Sequence, residues 1–255
     1  IKSWQAALLP TGYSGLKKIQ AGKWRSKDPM QIVSGPIAKE TIHYEAPPSE
    51  RIPGEMEKFL EWWKNENETL DGLLRAGIAH IYFVTIHPFE DGNGRVARAL
   101  TDMALAQDER QPKRYYSLSS RIMTERDTYY GILEKSQKGT LDITRWLKWF
   151  LNCFMRAVED SEKSISDILR KSIFWQKHAQ QTFNEKQKKV INKLLDAGPR
   201  GFKGGLTTRK YVGMTKVSRA TAYRNIKDLV GKKVLKQNKK KGRSVSYELI
   251  FPSVD

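Results

Sequence analysis

Between positions 87 and 98 the sequence reads HPFEDGNGRVAR, which gathers one histidine, two carboxylates, two glycines around an asparagine and two arginines. Backbone N–H groups of a Gly-x-Gly turn that opens a helix form a nest for an anion, and the helix N-terminus adds partial positive charge. Gly92, Asn93 and Gly94 supply such a turn. Arg95 and Arg98, three apart on the first turn of the helix that follows, project from one side and can each fork onto phosphate oxygens. Two arginines indicate more than one phosphate. Asp91 offers a hard oxygen ligand suited to Mg2+ bridging phosphates, and His87 is the group here that can accept a proton near neutral pH. Base, metal ligand, anion nest and cationic clamp together fit phosphoryl or nucleotidyl transfer.

Two other chemistries compete for the same residues. Gly92 to Ala97 fits G-x-G-x-x-A, a dinucleotide-binding fingerprint, but the flanking segments are helical in pattern and no βαβ unit follows. DGNGR opens like a calcium loop, yet Arg95 stands where the third ligand would be.

The elements that must position these residues follow from periodicity. Residues 1–54 are rich in Gly and Pro, with period-2 character only from Thr41 to Glu45, which predicts a short hairpin-like flap within loop. From Glu55 onward Met56, Phe59, Leu60 and Trp63 recur at helical spacing. A second helix is expected over about 69–85, apolar enough to be buried on most faces. Further helices are expected over RVARALTDMALAQD, over MTERDTYYGILEKSQ, and from Asp142 as one long helix or two. Beyond Asn184 come a helix closed by Gly198, two short helices around a turn with Ser218 capping the second, and two alternating segments that would pair around NKKKGR. Helix, helix, turn, helix, hairpin is the order of a winged helix-turn-helix. The expected fold is therefore mainly α. The domains are a catalytic core over 1–155 with a flap at about 30–55, a helical linker over 156–184 and a winged helix over 185–255.

His87-Pro88-Phe89-Glu90-Asp91-Gly92-Asn93-Gly94-Arg95-Val96-Ala97-Arg98 matches every fixed position of the Fic family motif HPFx[DE]GNGRxxR. The resemblance extends over about residues 30–155. It implies an all-helical catalytic core and transfer of AMP from ATP, with Mg2+, to a Ser, Thr or Tyr hydroxyl of a target protein. His87 would be the catalytic base and Asp91 the metal ligand. The nucleotide would meet Asp91, Gly92, Asn93, Gly94, Arg95, Val96, Ala97 and Arg98, with Arg95 on the β-phosphate and Arg98 on the γ. Phe89 would pack inward and Glu90 face solvent. Thr41, Ile42, His43 and Tyr44 match the flap that covers the nucleotide and pairs with an extended target segment. Tyr129 and Gln137 fall where the family contacts the nucleoside; the alternative for DTYYGIL is a core helix with a partly exposed tyrosine. The family's inhibitory helix, (S/T)xxxE(G/N), whose Glu pairs with the residue equivalent to Arg98, has no match here, since the nearest string, TIHYEA, ends in Ala. With Ile at position 1, the sequence is read as part of a longer protein, and that helix is expected upstream or in a partner.

Charge distribution adds a second function. The net charge is +18, and residues 181–255 hold 19 Lys and Arg against 5 Asp and Glu. A charge run is ordinarily a solvated face, but here it coincides with the winged-helix order. Arg219, Thr221, Tyr223, Arg224 and Lys227 would face outward on a recognition helix, and Lys239, Lys240, Lys241 and Arg243 at the hairpin tip would meet phosphates, so DNA is an expected partner. Homodimerisation is common to both resembled domains. The lone Cys153 lies in an apolar run and reads as a buried hydrophobe. No stretch nears 18 uninterrupted apolar residues, so a cytoplasmic protein without membrane contact is expected. Two alternatives stay open: a DNA-binding regulator whose Fic domain senses nucleotide, and a transferase using another nucleotide donor.

Overall fold

Small polar side chains and turn glycines set several helix ends in this chain, which forms two units, Ile1–Ser161 and Glu162–Asp255. The computed structural model describes residues 1–251 apart from 35–38, 40, 66–68, 112, 141, 200 and 239–244.

The first unit begins with α1 (Lys2–Leu8) and a two-residue hairpin, β1 (Tyr13–Ser14) with β2 (Lys17–Lys18). Neither was expected from the sequence, because Gly and Pro hide elements this short. β3 (Gln31–Ser34) and β4 (Thr41–Glu45) pair antiparallel, with Ile32 opposite Tyr44 and Val33 opposite Ile42. One step on β3 thus spans two on β4, a bulge that sets His43 off the regular alternation.

A bundle follows. α2 (Ile52–Asn65) buries Met56, Phe59 and Trp63, whereas Leu60, which the 3–4 spacing also selects, is exposed. At the start of α3 (Gly72–Ile86), the Asp71 carboxylate accepts the N–H groups of Leu73 and Leu74 at 3.0 and 3.1 Å, an N-cap of about 1 kcal/mol. α4 (Asn93–Glu109) lies beside α3, with Val96, Ala97, Leu100 and Ala104 buried between them and the rest of the core. The sequence expectation of one helix over residues 123–137 is corrected. α5 (Leu118–Thr124) and α6 (Arg126–Gln137) break at Glu125, whose carboxylate is clasped by Arg121 at 2.7 Å and by two nitrogens of Arg156 at 2.7 and 2.6 Å. α7 (Thr144–Lys177) is one helix. It reaches α3 closely at Gly77, where a Cβ would stand 2.9 Å from the Phe150 ring, and the Trp146 indole donates to Gly77 O at 2.8 Å. Cys153 is buried in this core, and burial pushes its thiol up to about 11.

Inside the bundle runs a polar chain. Thr101 Oγ1 donates to Ala97 O at 2.9 Å and so accepts from His80 Nδ1 at 2.9 Å, which leaves His80 Nε2 to accept from the Tyr129 hydroxyl at 2.9 Å. One hydrogen-bond chain thereby joins α3, α4 and α6.

The second unit holds the C-terminal part of α7, then α8 (Glu185–Asp196), α9 (Thr208–Thr215), α10 (Arg219–Gly231) and the antiparallel pair β5 (Leu235–Gln237) with β6 (Tyr247–Leu249). Asn184 and Gln187 form a reciprocal capping box on α8. Thr207 and Ser218 cap α9 and α10, and Gly198 closes α8 at φ +69°. Phe174 is fully buried among Ile191, Leu195, Tyr211, Ile226 and Leu249. Within residues 156–184, Ala157 belongs to the first core and Phe174 to the second. No helix among the described residues is long and apolar enough to cross a membrane.

The buried His80 yields a pH prediction. Burial, reinforced by the Arg98 cation, holds its imidazole down to about 3 in the fold against about 6.5 when unfolded. Its contribution is complete above about pH 6.5 and is lost as pH falls towards 3, at about 1.4 kcal/mol per pH unit. Urea denaturation should show stability about 2 kcal/mol lower at pH 5 than at pH 7 from this group, and His80→Asn should remove that increment.

Candidate functional site

The last turn of α3 ends with His87 as its C-cap, at φ 50° and ψ 56°. A left-handed histidine costs on the order of 1 kcal/mol or more, so the surrounding structure must hold it there. Arg25 does so. Its side chain is 2% exposed. Nε donates to His87 O at 2.9 Å, its backbone N–H donates to Pro88 O at 2.9 Å, one terminal nitrogen pairs with Asp28 at 2.7 Å, and the other donates to Pro47 O. Asp28 in turn accepts from the Ser49 N–H and hydroxyl, which hold its carboxyl below the usual range.

The His87 ring is half-buried, and its Nδ1 lies 3.1 Å from Val84 O. A carbonyl can only accept, so Nδ1 carries the proton and Nε2 holds the free lone pair. Burial pushes the imidazole down to about 4, with Arg25 adding to the fall and the Val84 contact and Asp91 opposing it. At neutral pH the ring is uncharged and ready to accept a proton at Nε2.

Two residues on, Phe89 packs against Trp24 and Phe83, with ring centroids 4.9 and 6.3 Å away. Asn93 closes the loop: its Oδ1 accepts from the Phe89 N–H at 2.9 Å and its Nδ2 donates to Phe89 O at 2.8 Å. The Asn93 side chain is thus a brace, and only its backbone can face an anion. Gly92 caps α4 at φ +88°, a conformation that a side chain would strain. The N–H groups of Asn93 and Gly94, in the first turn of α4, have no acceptor within the helix.

Asp91 stands beside this nest. Its Oδ2 accepts from the Ser14 hydroxyl at 2.6 Å and pairs with Arg95 at 3.2 Å. Burial raises its carboxyl, and Ser14, the Gly92 N–H, Arg95 and His87 together outweigh that and leave it below the usual range. An ionised, partly exposed carboxylate at a helix N-terminus fits a Mg2+ that takes its other ligands from phosphates and water. Among the described residues no group of three or more His, Cys, Asp or Glu could cage an ion by itself. Arg98 is half-buried, and among the described residues no carboxylate pairs with it within 4.0 Å.

The flap strand is tied down from below. His43 Nδ1 lies 2.6 Å from Glu134, Lys138 donates to Ile42 O at 3.3 Å, and the Tyr44 hydroxyl donates to Thr85 O at 2.8 Å. Thr41 and Ile42 remain exposed. Burial pushes the Tyr44 phenol up to about 12.

Other sequence expectations change. Val96 and Ala97 have fully buried side chains, and the Val96 N–H is spent on Gly92 O at 3.0 Å, so they pack α4 rather than contact a ligand. Tyr129 is 4% exposed with its hydroxyl on His80, while Tyr130 is half-exposed. This is the arrangement of the core-helix alternative, with the Tyr129 hydroxyl held by His80. Gln137 Nε2 donates to Thr85 Oγ1 at 3.3 Å, bracing the end of α3. Glu90 is half-buried rather than solvent-facing, with Oε1 enclosed and unbonded among the described residues. Sequence reasoning missed Gln5, Ser14 and Arg25, all in the segment read as loop; the Arg25/Asp28 spacing before Pro29 was the one available hint.

On α10, Arg219, Thr221, Tyr223, Arg224 and Lys227 are exposed, opposite the buried Ala222, Ile226 and Leu229. Lys239, Lys240, Lys241 and Arg243 lie outside the described residues.

Residues 1–105 match the Fic/DOC family, so the likeness includes α1 and the first hairpin, upstream of the region from about residue 30 expected above. A probable protein adenylyltransferase of Aquifex aeolicus is 29% identical over 104 residues, 41% of this chain and 30% of that protein. The protein adenylyltransferase Fic of Drosophila melanogaster is 30% identical over 114 residues, 44% of this chain and 22% of that protein. The chain thus spans less than a third of either relative. The crystal structure of a Fic family protein from Desulfovibrio desulfuricans shares the fold over 98% of this chain and 67% of its own, with a TM-score of 0.52 and 20% identity.

The Arg25 clamp carries its own prediction. Arg25→Met takes the donor from His87 O and Pro47 O, and an acceptor left unsatisfied costs about 1–3 kcal/mol, so the variant should lower unfolding stability by that order in urea titrations. Arg25→Lys, which keeps the charge and loses the fork, should recover only part of it.

Proposed function

We propose that this chain, whose residues 1–105 match the Fic/DOC family, is a protein adenylyltransferase that moves AMP from Mg2+-ATP to a Ser, Thr or Tyr hydroxyl of a target protein. The observation that carries this reading is the His87 imidazole, neutral, with Nδ1–H fixed on Val84 O, set just before an anion nest and an ionised carboxylate. The acceptor oxygen attacks the α-phosphorus, the bond to the bridging oxygen breaks, and pyrophosphate leaves. His87 Nε2 takes the hydroxyl proton. The Asn93 and Gly94 N–H groups and the α4 dipole meet the departing charge, Arg95 turns from Asp91 to the β-phosphate, and Arg98 meets the γ. Asp91 would hold Mg2+, which would supply charge neutralisation of the phosphates. The exposed Thr41–Ile42 edge of the flap suits an extended target segment.

With ATP and Mg2+, the wild-type protein should add one AMP moiety to itself or to a lysate protein by intact mass spectrometry, and His87→Ala should add none. Because the His87 pKa is depressed to about 4, the base form persists down to that pH. The acid limb of kcat/KM should therefore fall near pH 4 rather than near 6.5.

A second activity is favoured by one observation, the exposed Arg219, Arg224 and Lys227 on α10, none of which pairs with a carboxylate among the described residues. We infer that the second unit is a winged helix that binds DNA through this face. Duplex affinity should fall steeply as salt rises from 50 to 200 mM. Arg224→Ala should weaken binding and reduce the salt slope by about one if it contacts phosphate; equal affinity in the variant at every salt concentration would remove α10 from the interface.

A further inference from the structure

The N-terminal 22 residues reach the site at two points that the transfer chemistry does not itself require. Gln5, on α1, is fully buried. Its side chain is bonded at both ends: Nε2 donates to Asp91 O at 3.1 Å, and Oε1 accepts from the Gly22 N–H at 2.6 Å. Ser14, on β1, donates its hydroxyl to Asp91 Oδ2 at 2.6 Å. Gln5 therefore fixes the Asp91 backbone and Ser14 its carboxylate.

The Gly92 N–H also supports that carboxylate, and its cationic partner is Arg95, at 3.2 Å, with both side chains of this pair 41% exposed. In the proposed reaction Arg95 turns from Asp91 to a phosphate. Ser14 remains. Its short neutral hydroxyl satisfies one lone pair of Oδ2 without cancelling the carboxylate charge, so the group keeps its orientation and its negative charge for a cation.

We propose that Ser14 is a positioning residue for the cation ligand Asp91, with Gln5 as its backbone anchor, so that the segment before the flap sets metal affinity. This rests on the reading of Asp91 as the Mg2+ ligand. Hydrogen-bonded partners of ligating carboxylates typically govern metal affinity by 10–100-fold, and Ser14 occupies that place here. Its hairpin is small and partly exposed, so removal of the hydroxyl leaves the bundle core intact.

The test is a titration of Mn2+ into the protein saturated with a non-hydrolysable ATP analogue, followed by electron paramagnetic resonance of free Mn2+, with analogue affinity measured separately without metal. Ser14→Ala should weaken Mn2+ binding by about tenfold and leave metal-free analogue affinity unchanged, while Ser14→Thr, which keeps a hydroxyl, should restore it. A purely structural hydroxyl would instead alter analogue affinity and thermal stability together. Binding lost in Asp91→Asn but unaltered in Ser14→Ala overturns the role of Ser14 alone. Binding that survives Asp91→Asn overturns the metal reading itself, and the role of Ser14 with it.

Discussion

A single buried guanidinium holds the site together. Arg25 joins the loop before β3, the segment after β4 and the end of α3 through Asp28, Pro47 O and His87 O. Together with the Tyr44 hydroxyl on Thr85 O, it ties the flap strand to the end of α3 that carries His87. His87 is held in its left-handed conformation by Arg25, from which the His87 and Pro88 carbonyls both accept. The same conformation turns the ring so that Val84 O orients it. Base geometry, flap position and loop path therefore share one cause.

The local arrangement of the 87–98 stretch was legible because its residues are closely spaced, and neighbours in sequence are neighbours in space. The helices of the bundle were legible for the same reason, since apolar recurrence at three and four residues reports a local surface. What stayed hidden depends on contacts across long separations. Nothing local marks Gln5 as the partner of a residue 86 positions away, or Ser14 as the partner of Asp91. Tyr129 illustrates a different limit, because a tyrosine on a half-apolar helix is compatible with either face until His80 is placed. Val96 and Ala97 sit inside the functional motif for packing, and a motif alone does not separate residues that touch ligand from residues that hold the helix.

In the second unit, the buried face of α10 was fixed by Ala222, Ile226 and Leu229 at helical spacing, and the outward cationic residues follow by exclusion. The caps at Asn184, Thr207 and Ser218 fall where small polar residues precede helical runs. Burial of Phe174 could not be anticipated, because a long amphipathic helix reads the same whether its end is a spacer or part of a core.

The chain from Thr101 through His80 to Tyr129 also bears on helix phase. Apolar surfaces tolerate sliding by small steps, whereas each bond in this chain has one partner and one direction. A slip of one residue along α3, α4 or α6 would orphan at least one buried polar group, at about 1–3 kcal/mol. His87 lies about two turns beyond His80 on α3, Arg98 one turn before Thr101 on α4, and Glu134 and Gln137 further along α6 from Tyr129. The axial offsets between His87, Arg98 and the flap's anchors are thus keyed from inside the bundle. Substitutions on the outer faces of these helices can accumulate without shifting that alignment.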